Sequence, residues 1–414
     1  MRFLANLGII KIRKVFQINN CLDLWGDAMA NDSLGMAKKV KNDEFYTLYE
    51  YIQKEVNAYI EFNPDTFRNK TVLLPCDDPE WSNFTRFFAQ NFETLGLKKL
   101  ISTSYSIDKK KEQYEQYHQI SLFEQNYPQY DEEKSHSKGK IFTLTRDVNN
   151  SGRIDFEDLE WSYLEGDGDF RSDEVTMLRD EADIVITNPP FSLFREFIAW
   201  IFEANKDCLI IGNQNNVTYP EVFSLIMKNK LWIGATCNSE DMVFMVPEGA
   251  KVDPRDKEKA EKLGYKGNYT RMGNICWYSN LEHGRRHQLL DLMSMDDNRK
   301  YSKYKEVRNF WYMKYVNYDA IEVKYTASIP KDYDGVMGVS PTFLSKYNPD
   351  QFEIVGMDGG DMGTYYGISS NLSSEECNRL FHEHKGFRRG KLCYRDEDGT
   401  LQVCYRRVLI KHKR

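Results

Sequence analysis

The chain has 414 residues, 41% of them hydrophobic, which is enough for a catalytic domain with its own core and a second module. The net charge of −7 excludes binding to nucleic acid through an overall positive charge, so any basic surface must be local. There is no apolar run of the roughly 18–20 residues that span a membrane. The eight cysteines include no Cys-x-x-Cys pair, which argues against a zinc site and favours reduced thiols in a cytoplasmic protein.

Residues 1–40 are predicted to be an N-terminal extension outside the catalytic domain. They carry basic residues and short apolar runs, but they lack the continuous apolar core and the cleavage site of a signal peptide. Two interpretations stay open. Translation begins at Met29 or Met36, which precede a better patterned stretch, or these residues are a short extension of unknown role.

The first predicted unit is a strand, a loop and a helix, as at the start of a nucleotide-binding sheet. The block Phe45-Tyr46-Thr47 leads into a predicted helix from Leu48 to Ala58, and an apolar strand from Thr71 to Pro75 follows. A second helix is predicted from Trp81 to Phe92. The glycine-rich turn that usually joins such a strand to its helix is absent.

Asp77 and Asp78 occupy the loop where that turn is expected. One interpretation is that either carboxylate meets a positively charged group of a bound cofactor. The other is that Asp78 caps the following helix, with Pro79 at its first position. The two interpretations are compatible.

A second strand is predicted from Leu97 to Ser104, but no acidic residue stands at its end to hold a ribose, and Asp108 is the nearest candidate. Residues 108–140 are polar and are predicted to form a solvated insertion. The segment Asp147 to Ile154 imitates the first eight positions of a calcium-binding EF-hand loop. Because Asp158 replaces the final Glu and a strand precedes the loop, a turn between two strands is the better interpretation, and no metal is expected.

The sequence Gly166-Asp167-Gly168-Asp169-Phe170-Arg171-Ser172 predicts a ligand-binding loop. Its glycines allow the backbone to approach a ligand closely. A carboxylate beside an aromatic ring suits an adenine, whose amino group Asp169 would bind. The alternative is an ordinary glycine turn.

The most informative stretch is Asp183-Ile184-Val185-Ile186-Thr187-Asn188-Pro189-Pro190-Phe191-Ser192. The β-branched run predicts a buried strand, and the two prolines end it. A helix is predicted to follow from Leu193 to Phe202. Asn188 to Phe191 should therefore form a loop at the carboxyl end of a strand, where open α/β sheets bind ligands.

These residue types suit methylation of an exocyclic amine. The lone pair of such an amine is delocalised into the ring, and two acceptors that bind its hydrogens make the nitrogen more reactive. The side-chain oxygen of Asn188 and the carbonyl of Pro189 are candidate acceptors, and Pro190 restrains the conformation of Pro189. Phe191 offers a face for an extruded base, worth about 1–3 kcal/mol. The alternative is an ordinary turn at the end of a strand.

Further strands and helices alternate along the rest of this region. We predict strands at 208–212, 231–234, 241–247 and 273–278, and a helix from Tyr219 to Met227. Alternation over this length predicts an α/β protein with a doubly wound, mostly parallel sheet.

Several separate blocks together resemble the EcoRI-type adenine-specific DNA methyltransferases, the modification enzymes of restriction–modification systems. The blocks are NDEFYT, the strand with CDDP, LGLKKLI, GDGDFRS, DIVITNPPFSLFREFI, GNICWYSNL and, later, GVSPTFL with YNP. The resemblance implies an S-adenosylmethionine-dependent catalytic domain over residues 41–285, duplex DNA as substrate, and transfer to the adenine amino nitrogen.

The resemblance also assigns roles to individual residues. It implies that Asn188, Pro189 and Phe191 grip the target adenine, with Pro190 as the fourth member of the catalytic motif. Asp169 and Phe170 would hold the adenine of the cofactor. The residues that would lie near its methionine end are Phe45, Tyr46, Thr47, Asp77 and Asp78.

The last third, residues 286–414, is predicted to be an α+β region that recognises the DNA target. Asp398-Gly399 between two β-like runs predicts a hairpin. Locally basic stretches would contact phosphates, which sets the register on DNA without discriminating bases. The candidate contacts are Arg285, Arg286, Lys300, Arg388, Arg389, Arg406 and Arg407. The alternative is that these residues form ordinary solvated faces.

Rival functions stay open on the sequence alone. The same Asn-Pro-Pro-aromatic motif serves enzymes that methylate RNA adenines or a protein glutamine, and the basic C-terminal third argues against the protein substrate. A cytosine methyltransferase more often carries Ser in place of Asn188. A catalytically inactive DNA-binding partner is the alternative from another class. An accompanying restriction endonuclease is a further expected partner.

Overall fold

The computed structural model describes residues 45–79, 82–106, 130–237, 241–246, 252–359 and 372–413. The N-terminal extension expected at residues 1–40, Asp108, Trp81 and most of the polar insertion lie outside these ranges. Within them, every helix is too short or too polar to cross a membrane. The cysteines in these ranges are free thiols.

A mixed β-sheet organises the larger part of the described chain. The strands up to residue 279 are β1 (Tyr46–Thr47), β2 (Thr71–Leu74), β3 (Lys99–Ser104), β4 (Lys140–Leu144), β5 (Glu160–Tyr163), β6 (Ile184–Thr187), β7 (Asp207–Asn213), β8 (Trp232–Ile233), β9 (Met242–Met245), β10 (Tyr269–Met272) and β11 (Ile275–Ser279). Eight of them form one sheet in the order β5-β4-β3-β2-β6-β7-β11-β8.

The sheet is parallel only at its centre, which corrects the prediction of a mostly parallel sheet. Strands β3, β2, β6 and β7 run parallel. Two antiparallel strands flank them on each side: β4 and β5 at one edge, and β11 and β8 at the other. Parallel neighbours need a crossover connection, usually an α-helix. Because β4 is joined to β5 only by a loop with a single 3-10 turn, these two strands pair antiparallel. The apolar patterns of these strands do not encode their direction.

Helices cover both faces of this sheet. In chain order they are α1 (Tyr49–Phe62), α2 (Asn83–Gln90), α3 (Phe92–Leu95), α4 (Glu132–Ser137), α5 (Asp173–Glu181), α6 (Phe194–Glu203), α7 (Pro220–Met227) and α8 (Pro254–Lys262). Along β6, Ile184 and Ile186 share an apolar cluster with Phe88 of α2, whereas Val185 lies in the cluster that contains Phe197 of α6. The alternation of side chains along a strand thus places apolar surface on both faces.

A smaller antiparallel sheet stands beside the main one, in the order β1-β9-β10. Its pairing sets Tyr46 opposite Met245 and Thr47 opposite Phe244. This pairing gives the segment before α1 a fixed position, which matters for the site below.

The C-terminal part combines helices and strands. Its elements are α9 (Met295–Tyr301), α10 (Lys305–Phe310), β12 (Ile321–Val323), β13 (Met337–Val339), β14 (Phe352–Met357), α11 (Ser374–Glu383), β15 (Cys393–Arg395), β16 (Leu401–Val403) and β17 (Val408–His412). Four strands form a sheet in the order β12-β13-β17-β14. Met337 and Val408 share an apolar cluster with Phe223 of α7, so this sheet packs continuously on the catalytic part.

Two turn predictions are confirmed. Strands β15 and β16 form the hairpin expected at Asp398-Gly399, and Gly399 has a φ of 78°. The Asp147 to Ile154 segment is a loop between β4 and β5. The Asp147 carboxylate accepts hydrogen bonds from the amides of Ser151 and Gly152.

Candidate active site at the carboxyl edge of the sheet

The Asn-Pro-Pro-Phe motif lies where the sequence predicts it. Strand β6 is fully buried, and Asn188 follows its last residue, Thr187. Neither proline can donate a backbone hydrogen bond to a neighbouring strand, and a 3-10 turn at Phe191–Leu193 leads directly into α6. The motif is therefore a loop at the carboxyl ends of the parallel central strands.

One hydrogen bond orients the side chain of Asn188. Its Nδ2 donates to the carbonyl oxygen of Phe45 at 2.6 Å. Because a carbonyl only accepts, the amide nitrogen must face Phe45 and the oxygen must point elsewhere. This Oδ1 is buried and has no hydrogen-bond partner among the described residues. Such a desolvated acceptor costs about 1–3 kcal/mol, and an incoming amino group would satisfy it.

Aromatic rings stand beside this acceptor. The Phe191 ring is 8% exposed and lies 5.7 Å from the Phe45 ring, centroid to centroid, at a tilt of 35°. Phe45 in turn contacts Phe244 of β9 edge-on, at 6.1 Å between centroids. Apolar ring surface is thus concentrated at the Asn188 loop and at the segment that it contacts.

Asp77 lies beneath the motif instead of facing open space. Asp77 is 4% exposed. Oδ2 accepts a hydrogen bond from Thr187 Oγ1 at 2.6 Å, and Oδ1 accepts one from Ser82 Oγ at 2.5 Å. Burial raises the pKa of Asp77 to about 7, against the hydrogen bonds from these two hydroxyls. Because Asp77 is buried and both of its oxygens are engaged by protein hydroxyls, the structure gives it a supporting role in place of the expected contact with the cofactor.

Asp78, the second member of the acidic pair, is half-buried. It is not the cap of α2, because Ser82 is the N-cap residue and its hydroxyl accepts the amide hydrogen of Phe84 at 3.1 Å. The cap interpretation of Asp78 is therefore wrong.

Strand β1 is tied to the same region through α2. Asn83 Nδ2 donates to the carbonyl of Thr47 at 2.8 Å. The hydroxyl oxygen of Thr47 is buried and unpartnered within the described part of the chain. Tyr46, between Phe45 and Thr47, is half-buried. Phe45, directly before this strand, contacts the Asn188 loop although the two segments are far apart in the chain.

The glycine-rich loop reaches this edge at the end of β3. Ser106 N donates to the carbonyl of Asp167 at 2.9 Å. Gly168 has a φ of 86°, and a Cβ there would overlap the carbonyl oxygen of Ser104. The close approach that this glycine permits is therefore to protein backbone.

Within this loop, the Asp169 carboxylate is paired with the Arg171 guanidinium at 2.7 Å. Phe170 was expected to face the adenine of the cofactor, but its ring is fully buried against Phe197 and Trp200. The Phe170 side chain packs in the core, and of this pair only Asp169 is placed to present a side chain to a ligand.

Tyr105 shows that the glycine-rich loop and the Asp77 loop are neighbours. Burial raises the pKa of Tyr105, and the nearby groups of Cys76 and Asp169 raise it further. Tyr105 therefore lies within electrostatic reach of both loops at the carboxyl ends of β2 and β3.

The seven predicted DNA contacts differ in accessibility. The Arg286 guanidinium is buried over the Trp232 ring, 3.7 Å from its centroid, and pairs with Glu282 at 2.6 Å. The Arg407 guanidinium pairs with Glu322 at 2.7 Å, where the side chains are 14% and 7% exposed. These two arginines are structural, which corrects their assignment as phosphate contacts.

Arg285 and Arg406 are half-buried and donate to the carbonyls of Ala235 and Asp358. The other three, Lys300, Arg388 and Arg389, are exposed. Arg388 and Arg389 also donate to backbone carbonyls of their own region. The exposed three are the best placed for phosphates.

Several site residues were not singled out from the sequence: Ser82, Asn83, Thr187 and Phe244. A Ser before an apolar helical pattern is a recognised N-cap signal, so Ser82 could have been found. The other three become site residues only through contacts with distant segments, for which a single sequence holds no signal.

The chain is similar in sequence to known methyltransferases. A family model described as "Adenine-specific methyltransferase EcoRI" matches residues 33–413. The chain is 40% identical over 337 residues to Type II methyltransferase M.EcoRI of Escherichia coli, covering 80% of this chain and 92% of that protein. It is 33% identical over 322 residues to Type II methyltransferase M.MpnI of Mycoplasma pneumoniae, covering 77% and 83%. No solved structure shows a significant match.

Proposed function

We propose that the chain transfers a methyl group from S-adenosylmethionine to the exocyclic amino nitrogen of adenine in duplex DNA. The chain belongs to the EcoRI-type family of adenine-specific methyltransferases. The observation that carries this proposal is the buried Oδ1 of Asn188, which has no hydrogen-bond partner among the described residues. It lies in an Asn-Pro-Pro-Phe loop at the carboxyl ends of the parallel central strands. A doubly wound methyltransferase fold agrees with the helices on both faces of that sheet.

The residues at this edge fit S-adenosylmethionine. Asp78 and Asp169 are carboxylates on neighbouring loops, which suits a cofactor that carries a positive charge and an adenine amino group. The unpartnered hydroxyl of Thr47 offers a further polar contact. When bound, the cofactor supplies an electrophilic methyl group, so the protein needs only to place the amine correctly.

The adenine must leave the duplex to reach this loop, because its amino group is inaccessible inside the base stack. Asn188 Oδ1 and the Pro189 carbonyl then accept its two amino hydrogens, and Phe191 stacks on the ring. The rings of Phe45 and Phe191 lie 5.7 Å apart, centroid to centroid. A base inserted between them would need about 7 Å, twice the stacking rise of about 3.4 Å, which is more than this separation.

The C-terminal region, residues 286–414, supplies target recognition in this proposal. Lys300, Arg388 and Arg389 contact phosphates through exposed cationic side chains. The relatives named above are Type II methyltransferases. We therefore infer that the chain is the modification enzyme of a restriction–modification system, with a cognate endonuclease that acts on the same site.

Methyl transfer to different acceptors tests this function. Purified protein with labelled S-adenosylmethionine should methylate duplex DNA, and sequencing of DNA from expressing cells should locate N6-methyladenine at one recurring sequence. Transfer to RNA or protein with no transfer to DNA would refute the proposal. DNA binding without any transfer would support the inactive-partner alternative.

The Asn188→Ala variant tests the site. Loss of the acceptor and of its bond to Phe45 should reduce kcat by at least about 100-fold, as for the loss of a transition-state contact worth about 2.7 kcal/mol or more. S-adenosylhomocysteine binding, measured by calorimetry, should be largely retained. Asn57→Ala, the same change at an exposed asparagine of α1, should keep wild-type activity. Equal activity in both variants would remove Asn188 from the mechanism.

A further inference from the structure

The carboxylate of Asp77 joins two parts of the site that are distant in sequence. One oxygen binds the hydroxyl of Thr187, the residue directly before Asn188, and the other binds the hydroxyl of Ser82, the N-cap residue of α2. The backbone carbonyl of Asp77 accepts two more hydroxyls, from Thr85 and Ser102. Main chain and side chain of this residue are therefore both held in place.

A second set of contacts closes the connection into a ring. Asn83, next to Ser82, donates to the carbonyl of Thr47 in β1, and Asn188, next to Thr187, donates to the carbonyl of Phe45, directly before the same strand. The loop after β2, the N-terminus of α2, strand β1 and the Asn188 loop thus form one closed hydrogen-bonded circuit. Asp77 is its only carboxylate.

We propose that Asp77 is a positioning residue for methyl transfer, which acts through Thr187 to hold the Asn188 carboxamide in register with strand β1. The proposal rests on the function proposed above and adds to it a residue that touches neither substrate nor cofactor. A one-ångström displacement of Asn188 would reduce the rate steeply, because the reaction depends on placing the amine.

The cost of burying this carboxylate supports a role beyond packing. A buried carboxylate is retained at the expense of desolvation, and the pKa of Asp77 is raised to about 7 by that burial. Asp78 is the charged neighbour within the described residues that raises it further. The hydroxyls of Ser82 and Thr187 favour the ionised form because both donate to it.

Thr187 offers a matched pair of variants. Thr187→Val removes the hydroxyl and keeps the side-chain volume, whereas Thr187→Ser keeps the hydroxyl. In Thr187→Val we expect kcat to fall about tenfold or more, as for a lost hydrogen bond to a charged group. The KM for DNA and the calorimetric affinity for S-adenosylhomocysteine should change by less than about threefold. Thr187→Ser should restore most of kcat.

The results separate the two proposals. A wild-type protein that does not methylate DNA refutes the proposed function. An active wild type with an equally active Thr187→Val variant refutes the positioning role of Asp77. A Thr187→Val variant that loses S-adenosylhomocysteine affinity and melting temperature in step with kcat also refutes it, since Asp77 then only maintains the fold.

Asp77→Asn provides a measurement that does not depend on activity. The pKa of Asp77 is about 7 in the folded protein, against 3.8 for an ordinary Asp. The folded state therefore holds a proton over the pH range where the unfolded carboxyl has lost it, so this group makes the free energy of unfolding decrease as pH rises from about 4 to about 7. Chemical denaturation should show a smaller decrease in Asp77→Asn. An identical pH dependence in both proteins would show that burial does not raise the pKa of this carboxyl, and would remove the argument from desolvation.

Discussion

Single contacts decide what the side chains of the site present to a ligand. The carbonyl of Phe45 turns the Asn188 amide so that its oxygen is the unpartnered atom. Phe170 and Phe191 both belong to predicted ligand-binding motifs, but their rings have different surroundings. The first is fully buried in the core, and the second lies at the motif beside Phe45. The role of each residue therefore depends on its immediate neighbours as well as on its type.

At this scale we predict the effect of removing the flat face of Phe191. Phe191→Leu keeps an apolar side chain of similar size but cannot stack on a base, and stacking is worth about 1–3 kcal/mol. The kcat/KM for DNA should fall by about 5- to 150-fold. Phe191→Tyr keeps the ring and should stay close to the wild type. Steady-state methylation of a duplex oligonucleotide measures both, and equal losses in the two variants would argue against stacking.

At the scale of elements, the C-terminal sheet is held by a buried ion pair. Glu322 of β12 accepts hydrogen bonds from the Arg407 guanidinium, just before β17, at 2.7–3.1 Å. The Tyr315 hydroxyl donates to the same carboxylate. These contacts connect β12 with the segment that leads into β17, so Arg407 contributes to the sheet and not to a basic surface.

Removing one partner of this pair should destabilise the protein. Arg407→Met leaves the Glu322 carboxylate buried and uncompensated, which costs about 3–5 kcal/mol. Arg388→Met, the same change at an exposed arginine, should alter the free energy of unfolding by about 0.5 kcal/mol or less. Urea denaturation measures both variants. A stable Arg407→Met protein would show that the ion pair is dispensable for the sheet.

On the scale of the whole molecule, a chain of net charge −7 must bind a polyanion through a local basic surface. The exposed candidates Lys300, Arg388 and Arg389 all lie after residue 286, within the region proposed to recognise DNA. Arg286 and Arg407 contribute to packing instead. The number of surface cations available to phosphates is thus smaller than the sequence suggests.

The salt dependence of DNA binding tests this assignment. Each phosphate contact contributes about 0.9 to the slope of log K against log salt. Changing Lys300, Arg388 and Arg389 to Gln should therefore reduce the slope by about 2.7 and weaken binding to all sequences alike. A control with the same change in charge at Lys228, Lys230 and Lys257 should keep the wild-type slope. Fluorescence anisotropy at several salt concentrations measures the slopes, and equal slopes in the wild type and the first variant would refute the assignment.

The sequence by itself determined the local features of this protein. It placed the strand of Ile184–Thr187, the proline-terminated loop after it, the helix that follows that loop and the hairpin at Gly399, because these follow from side-chain shape and backbone sterics within a few residues. The acceptor chemistry of Asn188 was evident from residue type and context.

Only the tertiary structure decided which distant groups meet. Asn188 and Phe45 are 143 residues apart in sequence, and Asp77 and Thr187 are 110 apart. The antiparallel edges of the sheet, the burial of Phe170 and the pairing of Arg407 with Glu322 likewise depend on segments far away in the chain. These features arise because burial and hydrogen bonding are satisfied across the whole packed molecule, and the local pattern around each residue carries no record of its distant partners.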